Sequence, residues 1–506
     1  MAPFLDATST FSAVLVDGLG NMSEFSLAAT AGSGSTFEIS NIRPVSGATD
    51  LIQVVGSAPP GEDVYVCIAD PSADIAGLGF DECANLPDPS YTGSGPSATA
   101  NGAGHWDVMV DISASSEFEF RVIAELSSAP GSYTDEEVVH WVSTVLDLPG
   151  TPETTNGCDQ SRSTDTCTYR EAYGDASDGD WIVFDGGLFD FGNPASITLD
   201  QDMPDIAKND LIFAAAGTYI QTGTDIIGEF LHGVHFNGAN TYGGFEISGS
   251  NNSIDSFDLE YIAGDAITIT GADNRLGDGC FRNVEIDHPT GRGIVVTGTG
   301  AADTVLDSVD VWSAGDIGVV IENGASNVVL GSSSSCLTFL VSESDATGLH
   351  LDGTGGSLGN ITMGFAGFEK LGTVSGTAVL LEDVSGFSPT LALFIDNPFN
   401  AVEIARVGTG AANSNNLASA IFLNTGDLPI DLGGDGSDIP GNGDDDSTNP
   451  GEPNDYVDVP VIDSVDTTST PGSLVISGTA SCVNDPCNVV VFAGDLGDAS
   501  ASGFGG

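Results

Sequence analysis

Residues 244–270 read GFEISGSNNSIDSFDLEYIAGDAITIT, and this stretch contains the unit that decides the fold. Residues 244–248 (GFEIS) and 266–270 (AITIT) alternate apolar and polar side chains, which is the two-residue period of a β-strand. A turn rich in glycine, asparagine and serine follows the first of them, and a second short strand, residues 254–257 (IDSF), follows the turn. The stretch therefore predicts strand, turn, strand and loop.

The same unit recurs through residues 186–432 at intervals of roughly 23–30 residues. Further first strands lie at residues 294–297, 319–322, 349–352, 379–382 and 402–404. Alternation turns one side chain inward and the next into solvent, so the coils must stack to bury a column of aliphatic side chains. About ten coils fit, whereas a propeller blade needs about 40 residues per repeat. The pattern predicts a parallel β-helix.

Residues 31–137 have the turn spacing of one complete immunoglobulin-like β-sandwich, with Trp106 as a predicted core residue. Residues 459–506 repeat the first half of this module, because residues 474–478 (LVISG) match residues 52–56 (IQVVG). The second half corresponds to residues 1–30, which predict a hairpin around a glycine- and asparagine-rich turn.

These terminal segments are complementary halves of one module, and three interpretations stay open. The chain is one period of a longer repeating polypeptide, or its ends are an arbitrary boundary. In the third interpretation, the N-terminal hairpin of one copy completes the C-terminal half-module of the next copy by strand addition. Such a head-to-tail contact would generate a filament.

The charge is strongly negative, with 73 Asp and Glu against 10 Lys and Arg and a formal net charge of −63. This charge repels nucleic acids and anionic membranes and attracts cations. Haloadaptation and calcium loading both account for it, and the sequence does not separate them. The chain has no apolar run of about 20 residues, so no membrane-spanning segment is expected. Its first residues lack the features of a signal peptide, so any export signal is expected to lie outside them.

Eight cysteines suggest disulfides and an oxidising compartment, because six of them form local pairs. The predicted pairs are Cys67 with Cys83, Cys158 with Cys167, and Cys482 with Cys487. Cys280 and Cys336 lie about two coils apart, which is roughly 10 Å and too far for a bond without intervening loops.

Residues 433–458 form the clearest loop of the chain and are rich in aspartate and glycine. Hard carboxylate and carbonyl oxygens suit Ca²⁺, and glycine permits tight ligating turns. The candidate calcium ligands in and beside this loop are Asp431, Asp435, Asp438, Asp444, Asp445 and Asp446. An acidic linker without a bound ion is the alternative.

Residues 167–172 (CTYREA) and 179–184 (GDWIVF) resemble the N-terminal cap of bacterial cell-surface proteins with the CSLREA motif. This sequence departs from the motif at Thr168 and Tyr169, where Ser and Leu are usual. Residues 431–436 (DLGGDG) and 20–26 (GNMSEFS) are similar to an acidic loop and a module end found in the same family. The resemblance implies a parallel β-helix beside immunoglobulin-like modules, at a cell surface and without a defined reaction.

A β-helix can also hold a polysaccharide lyase or hydrolase, which needs paired carboxylates or a positively charged base in a cleft. The cluster Arg282, Asp287, His288 and Arg292 is the one notable group of this kind, and a solvated loop explains it equally simply. His232 and His235 are three residues apart, so on one continuous strand they would face opposite sides, which argues against zinc. No nucleophile elbow, P-loop or HExxH motif occurs in the sequence.

The sequence thus predicts an all-β protein: a right-handed parallel β-helix with flanking immunoglobulin-like β-sandwich modules. The predicted segments are a half-module (1–30), a sandwich (31–137), a CSLREA-like cap (138–185), the β-helix (186–432), an acidic loop (433–458) and a second half-module (459–506). The predicted function is a secreted or cell-surface scaffold in a saline or marine medium, without enzymatic activity. Its expected partners are further copies or repeats of itself. An adhesin that binds glycans or other surface proteins is the alternative, and no nucleic acid or membrane insertion is expected.

Overall fold

The computed structural model describes residues 37–69, 97–147, 166–220, 229–277, 284–331, 339–371, 376–407 and 415–432 with short internal gaps, together with Cys158 and short strands near both ends. The described residues are nearly all β and include a parallel β-solenoid of about eight turns, fewer than the ten expected. The chain divides into two compact units that interleave in sequence. The first unit holds residues 1–242, 248–260 and 275–285, and the second holds 243–247, 261–274 and 286–506.

The first unit begins with antiparallel strands in two sheets. One sheet has three strands, in the order Glu38–Pro44, Leu51–Ser57 and His105–Asp111. The strands of the other part are Asp63–Ala69, Ser97–Thr99, Glu119–Leu126 and Thr134–Val142. Alternate residues of His105–Asp111 are buried, and Trp106 is among them, as the alternation of the sequence predicts.

Strand Thr134–Val142 joins the antiparallel strands to the solenoid. It pairs antiparallel with Glu119–Leu126 and parallel with Trp181–Phe184. Trp181–Phe184 in turn pairs parallel with Ile212–Ala214. The first solenoid strand therefore has both edges paired, which leaves no open template for another strand at this point.

One helix occurs among the described residues, Tyr169–Asp175, and it lies in the predicted cap. Thr168 caps it: the Thr168 hydroxyl accepts from the Glu171 N–H, and the Glu171 carboxylate accepts from the Thr168 N–H. Cys167 precedes the helix and is bonded to Cys158, with 5.1 Å between the two Cα atoms. This confirms one of the three predicted cysteine pairs.

The other predicted disulfide residues are less fully described. Cys67 is buried in strand Asp63–Ala69 and is also disulfide-bonded. Cys83, its predicted partner, lies outside the described residues, as do Cys280, Cys336, Cys482 and Cys487.

The solenoid strands are short, and most have two to five residues. In chain order after Trp181–Phe184 they are Ala195–Thr198, Asp205–Ile206, Ile212–Ala214, Val234–Asn237, Phe245–Ile247, Ser253–Ile254, Phe257–Glu260, Ile267–Ile269, Arg275–Leu276, Val284–Asp287, Ile294–Thr297, Val305–Leu306, Val309–Trp312, Val319–Glu322, Val329–Leu330, Phe339–Ser342, Leu349–Asp352, Thr362–Met363, Phe365–Glu369, Val379–Glu382, Leu391–Ile395, Val402–Ala405, Ala420–Leu423 and Ile430–Leu432. An antiparallel pair, Gly217–Ile220 with Glu229–His232, interrupts the series in the first unit. Two further antiparallel pairs are Thr10–Phe11 with Ala29–Thr30, and Val461–Asp466 with Val475–Thr479.

Two aliphatic columns form the core of one sheet in the second unit. The first column is Ile267, Ile294, Val319, Leu349, Val379 and Val402, and the second is Ile269, Val296, Ile321, Leu351, Leu381 and Ile404. All twelve side chains are fully buried, and each contributes about 1.5–3 kcal/mol relative to exposure. The offset between paired positions ranges from 23 residues, between Val379 and Val402, to 30 residues, between Val319 and Leu349. The predicted period is therefore confirmed.

A residue in the left-handed conformation follows each of seven strands in the second unit. These residues are Tyr261, His288, Ser313, Glu343, Lys370, Asp396 and Asn424, with φ between 51° and 56°. The N–H of each of the first six donates to a carbonyl oxygen of the next coil, as from Tyr261 to Asp287 at 2.9 Å. Stacking of the coils thus satisfies the backbone at a corner where the side chain brings conformational strain.

Candidate functional site

Asp431 is the one predicted calcium ligand among the described residues, and it lies in the last parallel strand rather than in the loop. It is fully buried in Ile430–Leu432 and pairs with Glu403 on the neighbouring strand. One of its carboxylate oxygens accepts from Asn400 Nδ2 at 2.7 Å. Burial raises the pKa of the Glu403 carboxyl, and the nearby Asp431 carboxylate raises it further. The other five candidates, Asp435, Asp438, Asp444, Asp445 and Asp446, lie outside the described residues.

A cluster of two histidines and three carboxylates forms the most concentrated group of metal-ligating side chains among the described residues of the first unit. We call it the His235 site, and its members are His232, His235, Asp258, Glu260 and Glu285. The next paragraphs build it from the backbone outward.

Gly233 brings the two histidines together. His232 ends the antiparallel strand Glu229–His232, and Val234–Asn237 is a parallel solenoid strand. The Gly233 N–H donates to Ala216 O at 2.7 Å, and a side chain at this position would overlap the carbonyl oxygen of Phe189. Because the chain changes partners at this glycine, the prediction that the two histidines face opposite sides is wrong. Their ring centroids are 6.4 Å apart.

Strand register brings two carboxylates to His235. Strand Val234–Asn237 pairs in parallel with Phe257–Glu260, so His235 lies beside Asp258 and Asn237 beside Glu260. His235 Nδ1 is 2.8 Å from Asp258 Oδ2 and 3.4 Å from Glu260 Oε1. The Asn237 amide donates to Glu260 Oε2 at 3.2 Å and holds that carboxylate in place.

His232 occupies the other part of the site. Its Nε2 atom is 2.8 Å from Glu285 Oε2. His232 and Asp258 are each 4% exposed, although Asp258 stands on the outward face of its strand. His232 Nδ1 and Asp258 Oδ1 are buried and have no hydrogen-bond partner among the described residues.

The electrostatics of the site follow from this burial. Burial raises the pKa of the Asp258 carboxyl to about 6, even though the hydrogen bond to His235 opposes the change. Burial alone would lower the pKa of His235, but its hydrogen bonds to Asp258 and Glu260 outweigh burial and raise that pKa to about 10. The hydrogen bond from His235 lowers the pKa of the Glu260 carboxyl. Without a bound cation, His235 is therefore an imidazolium held between two acidic groups.

A second cluster, His350, Asp352 and Glu382, lies in the second unit. His350 Nε2 is 2.9 Å from Glu382 Oε2. Asp352 stands in register between Glu322 and Glu382 on the neighbouring strands, so three carboxylates stack side by side. All three cluster members are partly exposed, and Asp352 Oδ1 accepts from the Thr354 N–H at 2.8 Å. This cluster is wetter than the His235 site and its carboxylates are better satisfied.

The basic cluster predicted near residues 282–292 is divided among other partners. Arg292 binds Asp265 on the preceding coil, with Nη2 to Oδ2 at 2.6 Å and Nε to Oδ1 at 3.1 Å. His288 stacks on Tyr261, with ring centroids 5.3 Å apart. Arg282 lies outside the described residues.

Comparisons with known proteins add no relative. No family model matches the chain, and searches of the curated proteins and of the solved structures return no match. Within the described part of the chain, no helix has the length and apolar character needed to cross a membrane.

Proposed function

We propose that the protein is an extracellular scaffold of a cell surface, in which a right-handed parallel β-helix lies between immunoglobulin-like modules. We assign it no enzymatic reaction. The observation that carries the proposal is a strand pairing with the same irregularity before and after the solenoid in the sequence.

The first pairing belongs to the antiparallel sheet of the first unit. Strands Glu38–Pro44 and Leu51–Ser57 pair antiparallel, with a bulge immediately after Ile39. The residue opposite Ile39 is Gly56, which leaves room for the Trp106 ring. A bulge is a positional feature of a module rather than a random defect.

The second pairing repeats this arrangement. Strands Val461–Asp466 and Val475–Thr479 pair antiparallel with a bulge immediately after Ile462, and the residue opposite Ile462 is Gly478. A small residue thus stands at the same place relative to the bulge in both pairs. The shared register supports the interpretation that a second module of the same type begins near residue 459.

Strand addition provides the assembly step. In the first module, Leu51–Ser57 is a central strand, because its other edge pairs with His105–Asp111. We propose that the corresponding edge of Val475–Thr479 accepts a strand from a further module, supplied by the same polypeptide or by a second copy. Backbone hydrogen bonds then provide the affinity, and head-to-tail repetition gives a filament.

Two properties of the chain support an extracellular location. The Cys158–Cys167 disulfide and the bonded Cys67 are typical of an oxidising compartment. The net charge of −63 keeps such a surface apart from polyanions and surrounds it with cations. The CSLREA-like cap and Ca²⁺ binding at residues 431–446 remain parts of the proposal.

Sedimentation velocity of the 506-residue chain over a wide concentration range tests the assembly. We expect growing oligomers that a synthetic peptide of residues 1–30 disperses, because the peptide occupies the accepting edge. A peptide with the same residues in scrambled order is the control. A chain that stays monomeric at high micromolar concentration would exclude head-to-tail assembly.

Glycan binding is the second candidate, and exposed aromatic side chains favour it. Tyr261 and Trp312 are each 38% exposed, and His288 stacks against Tyr261. All three belong to the second unit, and the His288 N–H donates to Trp312 O at 3.0 Å. Aromatic faces of this kind can bind sugar rings by apolar contact. Glycan-dependent quenching of tryptophan fluorescence, absent in Trp312→Ala, would support an adhesin role, and identical titrations of the two proteins would contradict it.

A further inference from the structure

Two of the six histidines of this chain meet at one buried carboxylate, and the scaffold role does not explain why. The protein has only 10 Lys and Arg against 73 acidic residues, so cationic and imidazole groups are scarce. Most carboxylates of such a protein can remain hydrated on the surface. Asp258 instead is 4% exposed and lies among the side chains of the His235 site.

The ion pair with His235 satisfies only part of this site. His235 Nδ1 reaches Asp258 Oδ2 and Glu260 Oε1, but Asp258 Oδ1 is buried without a partner among the described residues. His232 Nδ1 is buried and unpartnered in the same sense. A buried polar atom without a partner costs about 1–3 kcal/mol, and more when the group is charged. Two such atoms in one cluster indicate a missing ligand that is positively charged and accepts electron pairs.

We propose that the His235 site binds one divalent transition-metal cation of the zinc class. Imidazole nitrogen and carboxylate oxygen are both ligands of Zn²⁺, which lies about 2.0–2.2 Å from either atom type. His235, Asp258 and Glu260 each offer one ligand atom, and these three atoms lie within 4.8 Å of one another. His232 completes a set of four after a small movement of its ring, and Glu285 orients His232 from outside.

The ligand types separate this cation from calcium. Ca²⁺ and Mg²⁺ prefer oxygen ligands, whereas imidazole favours zinc, copper, nickel and related ions. The His235 site is therefore distinct from the calcium loop expected near residues 431–446, and it is tested with Zn²⁺ alone. It is also independent of strand addition, so the failure of either idea leaves the other intact.

Isothermal titration of the full chain with Zn²⁺, in buffer with excess Ca²⁺ to occupy carboxylate-only sites, is the primary experiment. We expect one high-affinity Zn²⁺ per chain. Asp258→Asn should weaken that site at least about 100-fold, because it removes the central ligand. His350→Gln, which removes the histidine of the second cluster, is the matched control and should bind Zn²⁺ as the unchanged chain does.

Two additional measurements keep the result interpretable if Asp258→Asn folds poorly. Glu260 is partly exposed, so Glu260→Gln should fold normally and weaken Zn²⁺ binding about 10-fold. Co²⁺ should bind at the same stoichiometry and give the visible absorption of a cation with nitrogen ligands, which the His235→Gln variant should lose. The proposal is overturned if the unchanged chain shows no high-affinity Zn²⁺ in Ca²⁺ buffer, or if Glu260→Gln and His235→Gln bind it unchanged.

Discussion

Arg170 binds Asp147 through both carboxylate oxygens, with Nη2 to Oδ2 at 3.0 Å, and fastens the cap helix to the segment before it. The Asp147 side chain is completely buried, and it also accepts from the Asp200 N–H at 2.8 Å. Arg170 donates in addition to the carbonyl oxygens of Gln201 and Asp202 at 2.9 Å each. One guanidinium thus connects the cap with the first coils of the first unit.

Loss of this guanidinium should destabilise the protein strongly. Arg170→Ala leaves the Asp147 carboxylate buried without its charged partner, so we expect the free energy of unfolding to fall by about 3–5 kcal/mol. Urea unfolding monitored by circular dichroism measures the change. Arg292→Ala is the matched control, because its ion pair with Asp265 is about 30% exposed and should contribute less than about 1 kcal/mol. Equal losses in the two variants would contradict the special role of the buried pair.

Glu137 should make stability fall as the pH rises. Burial raises the pKa of its carboxyl from 4.5 to about 7, although the hydrogen bond from Trp181 Nε1 opposes the change. The folded protein therefore holds this proton more tightly than the unfolded chain does. The resulting stabilisation is fully present below about pH 4.5 and is lost as the pH rises through about 7.

Glu137→Gln tests this pH dependence, because glutamine keeps the acceptor for Trp181 and cannot ionise. We expect the variant to be more stable than the unchanged chain at pH 8 by about 1 kcal/mol, allowing for solvent screening, and to show little advantage at pH 4.5. Glu246→Gln, which removes one exposed negative charge, is the control. An advantage of Glu137→Gln that is the same at both pH values would refute the assignment.

Gly233 should not tolerate even a methyl group. A Cβ atom there would overlap the carbonyl oxygens of Phe189 and Ala216, so Gly233→Ala should cost about 2 kcal/mol or more and separate His232 from His235. Gly102 has open space around it, and Gly102→Ala should change stability by less than about 0.5 kcal/mol. Thermal unfolding and Zn²⁺ titration of both variants provide the comparison. A Gly233→Ala protein that matches Gly102→Ala in both measurements would count against the geometry described for the turn.

The Cys158–Cys167 disulfide should stabilise the cap. It closes a loop of nine residues, and constraint of the unfolded chain by such a loop is worth roughly 2.5 kcal/mol. Replacement of both cysteines by serine should therefore lower the unfolding midpoint, and the difference between oxidised and reduced protein should shrink by the same amount. Differential scanning calorimetry with and without reductant measures it. An unchanged midpoint in the serine variant would show that the bond does not stabilise the fold.

Residues with a simple alternating pattern were predictable. Ile267, Ile294 and Val319 announce the buried column because each alternates with polar neighbours, and the 23–30-residue period follows from their spacing. The cap disulfide was predictable from the proximity of Cys158 and Cys167 in sequence. The left-handed corners were not, because residues as different as Tyr261 and Lys370 adopt the same φ when stacking imposes it.

The His235 site could not be predicted, and the reason is topological. The expectation for His232 and His235 assumed one continuous strand, but Gly233 ends one pairing and begins another. Asp258 and Glu260 follow more than twenty residues later, and nothing local marks them as partners of His235. The one available signal was the coil period, which places His235 and Asp258 at equivalent positions of successive coils.

From the sequence alone follow the all-β character, the stacked parallel coils, the acidic surface and the half-module after the solenoid, since each depends on local alternation, composition or repetition. Only the tertiary structure decided which side chains meet between coils: Arg170 with Asp147, and His235 with Asp258. A two-residue period specifies which face of a strand a side chain occupies, but the register between coils and the bends at single glycines specify its neighbour. Those depend on long-range packing, which no local stretch of this chain encodes.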